Sequence, residues 1–274
     1  MQVCQAQQWA QQQGLERLDA DLLLAFVLGH TRTWLFTWPE RELNDDQQQR
    51  FGDLVLRRVR GEPIAHLVGE REFWSLPLQI NASTLIPRPD TERLVEAVLD
   101  RFDQSARQVA DLGTGTGAIA LALASERPHW IISALDVEPA AVALAHNNAE
   151  RLGLPVSTSQ SDWCAALADQ SQDILVSNPP YIADDDVHLT QGDLRFEPRT
   201  ALVAADSGMA DIRRLIDQGR RVLVQEGWLF LEHGWTQGSA VRAWFEHQGY
   251  SSVTTVQDWG QRDRVSFGQW RKAV

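Results

Sequence analysis

The stretch Gln108-Val109-Ala110-Asp111-Leu112-Gly113-Thr114-Gly115-Thr116-Gly117 constrains the fold more than any other part of the chain. A strand pattern runs straight into three glycines at alternate positions, and a helical pattern begins at Ala118. Glycines let the backbone turn tightly between strand and helix, and let a ligand approach the main chain at the helix N-terminus. The stretch also satisfies the relaxed dinucleotide fingerprint, with Ala118 in the third small position. By itself the loop fits a nicotinamide site or an S-adenosylmethionine site equally well, or a plain turn.

Its surroundings narrow the choice. After residue 90 strands and helices alternate: helix 91–103, strand 108–112, helix from 118, strand 130–135, helix 138–152, strands 155–159 and 173–177, helix 208–225, strand 228–232. A closing pair, 250–257 and 264–270, turns at Trp259-Gly260-Gln261. Such alternation predicts an α/β fold with a mostly parallel sheet covered on both faces, its last hairpin antiparallel.

Residues 1–65 read as helical instead. Asp19 and Asp21 precede the apolar run Leu22–Leu28, which stops at Gly29. Beyond Asn44, the positions Phe51, Leu54, Val55, Leu56 and Val59 share one helical face, ended by Gly61 and Pro63. The glutamine-rich opening reads as a solvated helix face. Between the two regions, Phe73 to Ile80 and Leu85-Ile86 predict two short strands around Asn81-Ala82-Ser83, with Pro87 and Pro89 stiffening the chain on either side of Arg88. The expected organisation is a helical domain over 1–65, a β-hairpin linker over 66–87 and a Rossmann-like domain over 88–274.

Composition excludes several classes. With 25 Lys+Arg against 37 Asp+Glu, the net charge of −12 argues against a general nucleic-acid binder. Cys4 and Cys164 stand too far apart for a metal-type spacing and make no disulfide framework, so both are expected as reduced thiols in a cytoplasmic protein. The opening MQVCQAQQWAQQQ has no basic flank leading into an apolar run, and no segment approaches the roughly 20 apolar residues of a membrane helix. No metal site is expected.

Three further strand ends carry candidate chemistry. Asp136 follows the strand Ile131–Leu135 and stands 19 residues after Gly117, the offset at which a carboxylate reaches ribose hydroxyls in Rossmann-type folds; it also fits as an N-terminal acid of the helix behind Pro139. Asp162-Trp163 ends the third strand, where an indole stacks on adenine or merely packs. Asn178-Pro179-Pro180-Tyr181 follows Ile174-Leu175-Val176 and decides the class. Two prolines remove two backbone donors, leaving the Asn178 side-chain oxygen and the Pro179 carbonyl as acceptors and Tyr181 as an aromatic wall. Paired acceptors suit a planar amino group, a carboxamide or the exocyclic NH₂ of adenine. Held by both N–H groups, its nitrogen lone pair is turned toward an electrophile, and the hydrogen bonds strengthen as charge grows on nitrogen.

On these motifs the chain resembles the bacterial release factor glutamine methyltransferases, S-adenosylmethionine-dependent enzymes of the Rossmann-like class. The resemblance extends to Leu85-Ile86-Pro87-Arg88-Pro89-Asp90-Thr91-Glu92 and Arg195-Phe196-Glu197-Pro198. It implies methylation of the glutamine N5 in the Gly-Gly-Gln tripeptide of the stop-codon release factors, with the helical domain gripping that partner. It implies that Asp111, Gly113, Thr114, Gly115, Thr116 and Gly117 line the methionine part of the cofactor, with Asp136 on its ribose and Trp163 on its adenine. Asn178, Pro179, Pro180 and Tyr181 then hold the glutamine amide. Arg88 and Glu92 are candidates to orient the tripeptide or to pair with each other, and Glu197-Pro198 to shape a loop over the site. Glu232-His233-Gly234 ends a strand, with His233 expected in packing, and Asp184-Asp185-Asp186 reads as a solvated loop. A nucleic-acid adenine methyltransferase would share the Asn-Pro-Pro-Tyr motif but calls for a basic groove; a nicotinamide enzyme or silent nucleotide-binding module leaves that motif unused.

Overall fold

Val3, Ala6 and Ala10 recur on one face of α1 (Val3–Gln12) and turn it inward against Leu23, Leu24, Phe51 and Val55. These residues belong to the helices α2 (Arg17–Leu28) and α4 (Asp45–Val59), joined by α3 (Arg32–Thr37) and followed by α5 (Ile64–Val68). In this computed structural model, which describes residues 1–271, the helices make one compact unit of Met1–Glu70 with Val187–Phe196. Gly29 ends α2 in the left-handed conformation at φ +67°. Asn44 opens α4 with a reciprocal cap: Asn44 Oδ1 accepts from Gln47 N at 2.8 Å, and Asn44 N donates to Gln47 Oε1 at 3.0 Å. The glutamine-rich opening is not solvated all round. Gln7 is buried and donates to Asp21 Oδ1 at 2.8 Å, while Arg17 Nε donates to the same oxygen at 2.9 Å. Asp21 therefore sits inside α2, one turn beyond the expected start, because it is the acceptor that a buried glutamine requires.

The second unit comprises Arg71–Asp186 and the chain from Glu197 onward. Its opening hairpin, β1 (Glu70–Phe73) and β2 (Leu76–Gln79), turns at Trp74-Ser75 with φ +54° and +59°, and not at Asn81–Ser83. A two-residue turn with both φ positive matches the twist of paired strands, but it is built here without the glycine or asparagine that announces one. A short 3₁₀ turn, Pro89–Thr91, then leads into α6 (Glu92–Leu99), which ends four residues earlier than expected. Next come β3 (Gln108–Leu112), α7 (Ala118–Glu126), β4 (Ile131–Asp136), α8 (Pro139–Leu152), β5 (Val156–Gln160) and β6 (Gln172–Ser177). The rest is α9 (Ala205–Gly208), α10 (Ala210–Val222), β7 (Leu223–Glu232), α11 (Gly238–His247), β8 (Tyr250–Gln257) and β9 (Asp263–Trp270).

The seven strands β3–β9 order as β5-β4-β3-β6-β7-β9-β8, parallel from β5 to β7 and antiparallel at β9 and β8. The chain steps outward from β3 through β4 to β5, then returns to lay β6 on the other side of β3. That reversal opens a crevice beyond the carboxyl ends of β3 and β6, where open α/β sheets bind ligands.

Asp111 anchors the loop that leaves β3. Fully buried, its Oδ2 accepts from Thr114 Oγ1 at 2.6 Å and from Ala120 N at 3.2 Å, so one carboxylate holds both the glycine loop and the first turn of α7. Asn148 on α8 completes the clamp, donating to the carbonyls of Thr116 and Gln79 at 2.9 and 3.1 Å and accepting from Gln79 N at 2.7 Å. Burial pushes the Asp111 carboxyl up to about 7, against the pull of Thr114 and Ala120.

Two stability measurements check this arrangement. Gly117 stands at φ +85°, and a Cβ there would lie 3.1 Å from Leu121 Cδ1 and 3.2 Å from Ala145 Cβ. Gly117→Ala is expected to lower unfolding free energy in urea by about 1–3 kcal/mol; an unchanged midpoint contradicts it. For Asp111, a folded-state value near 7 against about 3.9 unfolded means the folded chain binds the proton more tightly, so stability falls as pH rises between them. Thermal unfolding of Asp111→Asn is expected to show a shallower decline over that range than the parent; parallel curves contradict it.

Candidate active site

A cavity of about 300 Å³ occupies the crevice at the strand ends, a size at which small-molecule sites begin. Its floor is the glycine loop. Gly113 N and Thr114 N both donate to the Leu135 carbonyl, at 2.8 and 2.9 Å, which folds the loop back over the end of β4. Gly113 stands at φ +71°, and a Cβ there would come within 3.0 Å of the Trp163 ring. The glycine is thus what lets the indole lie flush with the loop, itself carried on a left-handed residue at φ +51°. Gly113, Thr114, Gly115, Thr116 and Trp163 all line the cavity.

Asp136 lines it from the end of β4. Its Oδ2 accepts from Gly115 N at 2.9 Å and its Oδ1 from Glu138 N at 3.0 Å. Of the two roles read from the sequence, the contacts show the helix-start one: the carboxylate fixes the loop and the start of α8. Asp162, beside Trp163, is half exposed and paired with Arg214 at 2.6 Å.

The opposite wall is the turn after β6. Ser177 Oγ donates to the Leu112 carbonyl at 2.6 Å, binding the ends of β6 and β3 together. Asn178 and Pro180 face the cavity; Pro179 is buried behind them. Asn178 Nδ2 donates to Thr91 Oγ1 at 3.1 Å, and no described residue donates to its Oδ1. Tyr181 is held at both ends: its hydroxyl donates to Glu232 Oε1 at 3.2 Å, and its carbonyl accepts from Gln237 Nε2 at 3.0 Å. Burial and the Glu232 charge push the Tyr181 phenol above its usual range, so it remains a neutral donor.

Six sequence candidates are not among the residues that line the cavity: Asp111, Gly117, Arg88, Glu92, Pro179 and Tyr181. Asp111 lies beneath the loop as its anchor. Arg88 does not meet Glu92: its guanidinium grips both oxygens of the buried Glu197 at 2.9 and 2.8 Å, while Glu92 Oε1 accepts from Trp74 N at 3.0 Å. Glu197 also accepts from Ile86 N at 3.1 Å, which ties the segment before Arg88 to the loop whose Thr200 and Ala201 line the cavity. His233 sits in packing as expected, between Gly234 O and Ser266 Oγ.

The sequence reading missed Thr84, Thr91 and Asp211, and it gave Glu232, noted at a strand end, no role. Thr84 is buried on the cavity wall with no partner for its Oγ1. Asp211, raised by burial against the pull of Arg214, lines the cavity from α10. None of the first three carries a local signal, since each reaches the site only through tertiary packing; Glu232 alone had one, a carboxylate closing an apolar strand beside the site's own edge.

Comparison with known proteins agrees with this geometry. Residues 5–69 match the family described as PrmC N-terminal domain, and residues 90–194 match the methyltransferase small domain. The chain is 55% identical to the release factor glutamine methyltransferase of Escherichia coli (strain K12) over 255 residues, 93% of this chain and 92% of that one. It is 50% identical to the Shewanella oneidensis enzyme of the same name, over 98% of this chain and 96% of that one. A methyltransferase from Pyrococcus furiosus shares the fold, with a TM-score of 0.56 at 16% identity over 81% of this chain and all of that one. Strand ends that pair a glycine cradle with an outward-facing asparagine, on a sequence half identical to these enzymes, place the chain in the release factor glutamine methyltransferase family.

Proposed function

We propose that this chain methylates the side-chain nitrogen of the glutamine in the Gly-Gly-Gln tripeptide of the translation release factors, with S-adenosylmethionine as methyl donor. The observation that carries the reading is Asn178: its NH₂ is fixed on Thr91, and its Oδ1 is left as an unengaged acceptor at the cavity.

The cavity fits the cofactor. The cradle at Gly113 and Gly115 is open because neither residue has a Cβ, and Gly115 at φ +55° faces Thr84, whose unpartnered Oγ1 awaits a polar ligand atom. Asp136 would take the ribose hydroxyls and Trp163 would pack on the adenine, with Gly113 to Gly117 around the methionine portion. When bound, the cofactor supplies a methyl group on a sulfonium, already activated for attack.

The chain's own residues must then present the amide. Asn178 Oδ1 and the Pro179 carbonyl accept from its two N–H groups, Pro180 lies against its plane, and Tyr181 supports the turn from behind. A conjugated amide nitrogen is a poor nucleophile because its lone pair is delocalised. Acceptors on both N–H groups turn that lone pair out of conjugation and strengthen as the N–C bond forms and the C–S bond breaks, which lowers the barrier selectively. The cation left on the nitrogen is acidic enough to lose its proton to water. Positioning in line does the remaining work. Arg88 and Glu92 serve this reaction by holding the wall through Glu197 and Trp74.

Purified protein given methyl-labelled cofactor together with release factor or DNA should label the release factor at its Gly-Gly-Gln glutamine. Label in DNA alone overturns the reading. Asn178→Ala is expected to lower kcat by about 10²–10³-fold, as loss of a transition-state hydrogen-bonding group does, with cofactor affinity measured by calorimetry nearly unchanged. Asp136→Ala is expected to reverse the pattern, weakening cofactor binding about 10-fold or more. The same defect in both variants would contradict the division of roles.

A further inference from the structure

Gln237 stands just before α11, at the position where a short polar side chain ordinarily caps a helix, yet it makes no cap bond to that helix. Its carboxamide turns back instead and meets three backbone groups. Oε1 accepts from Gly234 N at 2.8 Å, and Nε2 donates to the carbonyls of Tyr181 at 3.0 Å and Ser207 at 3.3 Å. A backbone N–H only donates and a backbone carbonyl only accepts, so these partners allow the amide a single orientation. A carboxylate of the same shape would serve Gly234 but has nothing to donate to the two carbonyls.

The surroundings show how tightly the Tyr181 carbonyl is held. Asp206, Ser207 and Gly208 follow one another at φ +56°, +54° and +83°. That conformation is unfavourable for the two that carry a Cβ and persists only where the surrounding structure imposes it. It brings the Ser207 carbonyl to Gln237 and lays Gly208 against Tyr181, where a Cβ would overlap the Tyr181 carbonyl. The same peptide unit is also fixed on its other side, with Ile182 N donating to the Leu202 carbonyl at 3.0 Å. A strained segment and a misdirected helix cap thus converge on one carbonyl.

We infer that Gln237 is a positioning residue for methyl transfer: it sets where the Asn178–Tyr181 turn ends, and hence where the Pro179 carbonyl points. The turn starts at Asn178, whose Nδ2 is fixed on Thr91 Oγ1 at 3.1 Å. Between its two ends stand Pro179 and Pro180, whose rings lock φ. A turn so stiffened moves as a strut, so a displaced Tyr181 main chain carries the Pro179 carbonyl with it. The Glu232 bond holds only the far end of the Tyr181 side chain, two torsions away from the backbone, whereas Gln237 grips the backbone itself. Gln237 does not line the cavity and acts through Tyr181. The inference rests on the function proposed above and accounts for the aim of its second acceptor.

The test measures kcat, KM for release factor and cofactor affinity by calorimetry in two variants. Gln237→Met keeps the length of the side chain and removes both donor and acceptor; Gln237→Glu keeps the acceptor for Gly234 and sets a carboxylate oxygen against two carbonyls. In Gln237→Met, kcat is expected to fall about 10- to 100-fold, the scale on which an ångström of misplacement is felt. KM and cofactor Kd should stay within about twofold of the parent, because contacts that strengthen in the transition state leave ground-state binding unchanged. Gln237→Glu should lose at least as much, since the donor end is the one that reaches the turn. Combined with Asn178→Ala, either variant should cost less than the product of the two single losses, because both act on one pair of acceptors. Parent-like kcat in either variant, an equal loss of kcat and cofactor affinity, or strictly multiplicative losses with Asn178→Ala overturns the inference. Should one variant not fold, the other decides on the same readouts; failure of both to fold assigns the amide to stability and overturns it too. A parent enzyme that leaves release factor unlabelled sinks the proposed function instead, and the two failures are thereby distinct.

Discussion

The hydrogen bond from Ser177 Oγ to the Leu112 carbonyl, 2.6 Å long and fully buried, sets the geometry on which the site depends. It locks the last residues of β6 and β3 side by side at the point where the sheet reverses direction. The chain then leaves the two strands along different paths, one through Gly113–Gly117 and one through Asn178–Tyr181. Donor and acceptor halves of a transfer reaction are brought together because two adjacent strands end at the same height. The rest of the unit elaborates this placement: α7 and α8 hold the loop through Asp111 and Asn148, and β7 holds the Asn178–Tyr181 turn through Glu232.

Two buried carboxylates do comparable work at the two strand ends. Asp111 and Glu232 are each without solvent, each raised to about 7 by burial, and each has one oxygen lacking a partner. Neither lines the cavity. Asp111 acts on a lining residue, Thr114, and Glu232 on the Tyr181 that ends the Asn178 turn. Groups that stabilised the fold alone would be better served by amides, since an unpaired buried charge costs free energy. Their chemistry matters because an ionised carboxylate only accepts, and so fixes the direction of every hydroxyl and amide bonded to it.

Much of this was legible in the residues. The alternation of strands and helices, the glycine turn and the Asn-Pro-Pro-Tyr turn are read from local pattern, because glycine at positive φ and proline without a donor act over one or two residues. Other features were not. Trp74-Ser75 makes a tight turn in residues that seldom make one, and Gln7 is buried only because Asp21 waits for it across two helices. Arg88 and Glu92, four residues apart, were candidates to orient the tripeptide or to pair with each other, but the tertiary fold gives each a different partner, Glu197 and the Trp74 amide. Thr91 and Asn178 are 87 positions apart in sequence and meet only through the tertiary fold. Local chemistry writes the turns, and the sheet decides who faces whom.

The direction of the Asn178 amide is the claim on which the whole account converges. A crystal structure with S-adenosylhomocysteine and a Gly-Gly-Gln peptide, refined to a resolution at which amide nitrogen and oxygen are told apart by their hydrogen-bond partners, measures it directly. Asn178 Oδ1 should lie within hydrogen-bond distance of the glutamine NH₂, with Nδ2 on Thr91. A glutamine amide bound elsewhere, or an Asn178 that presents Nδ2 to it, would contradict the account.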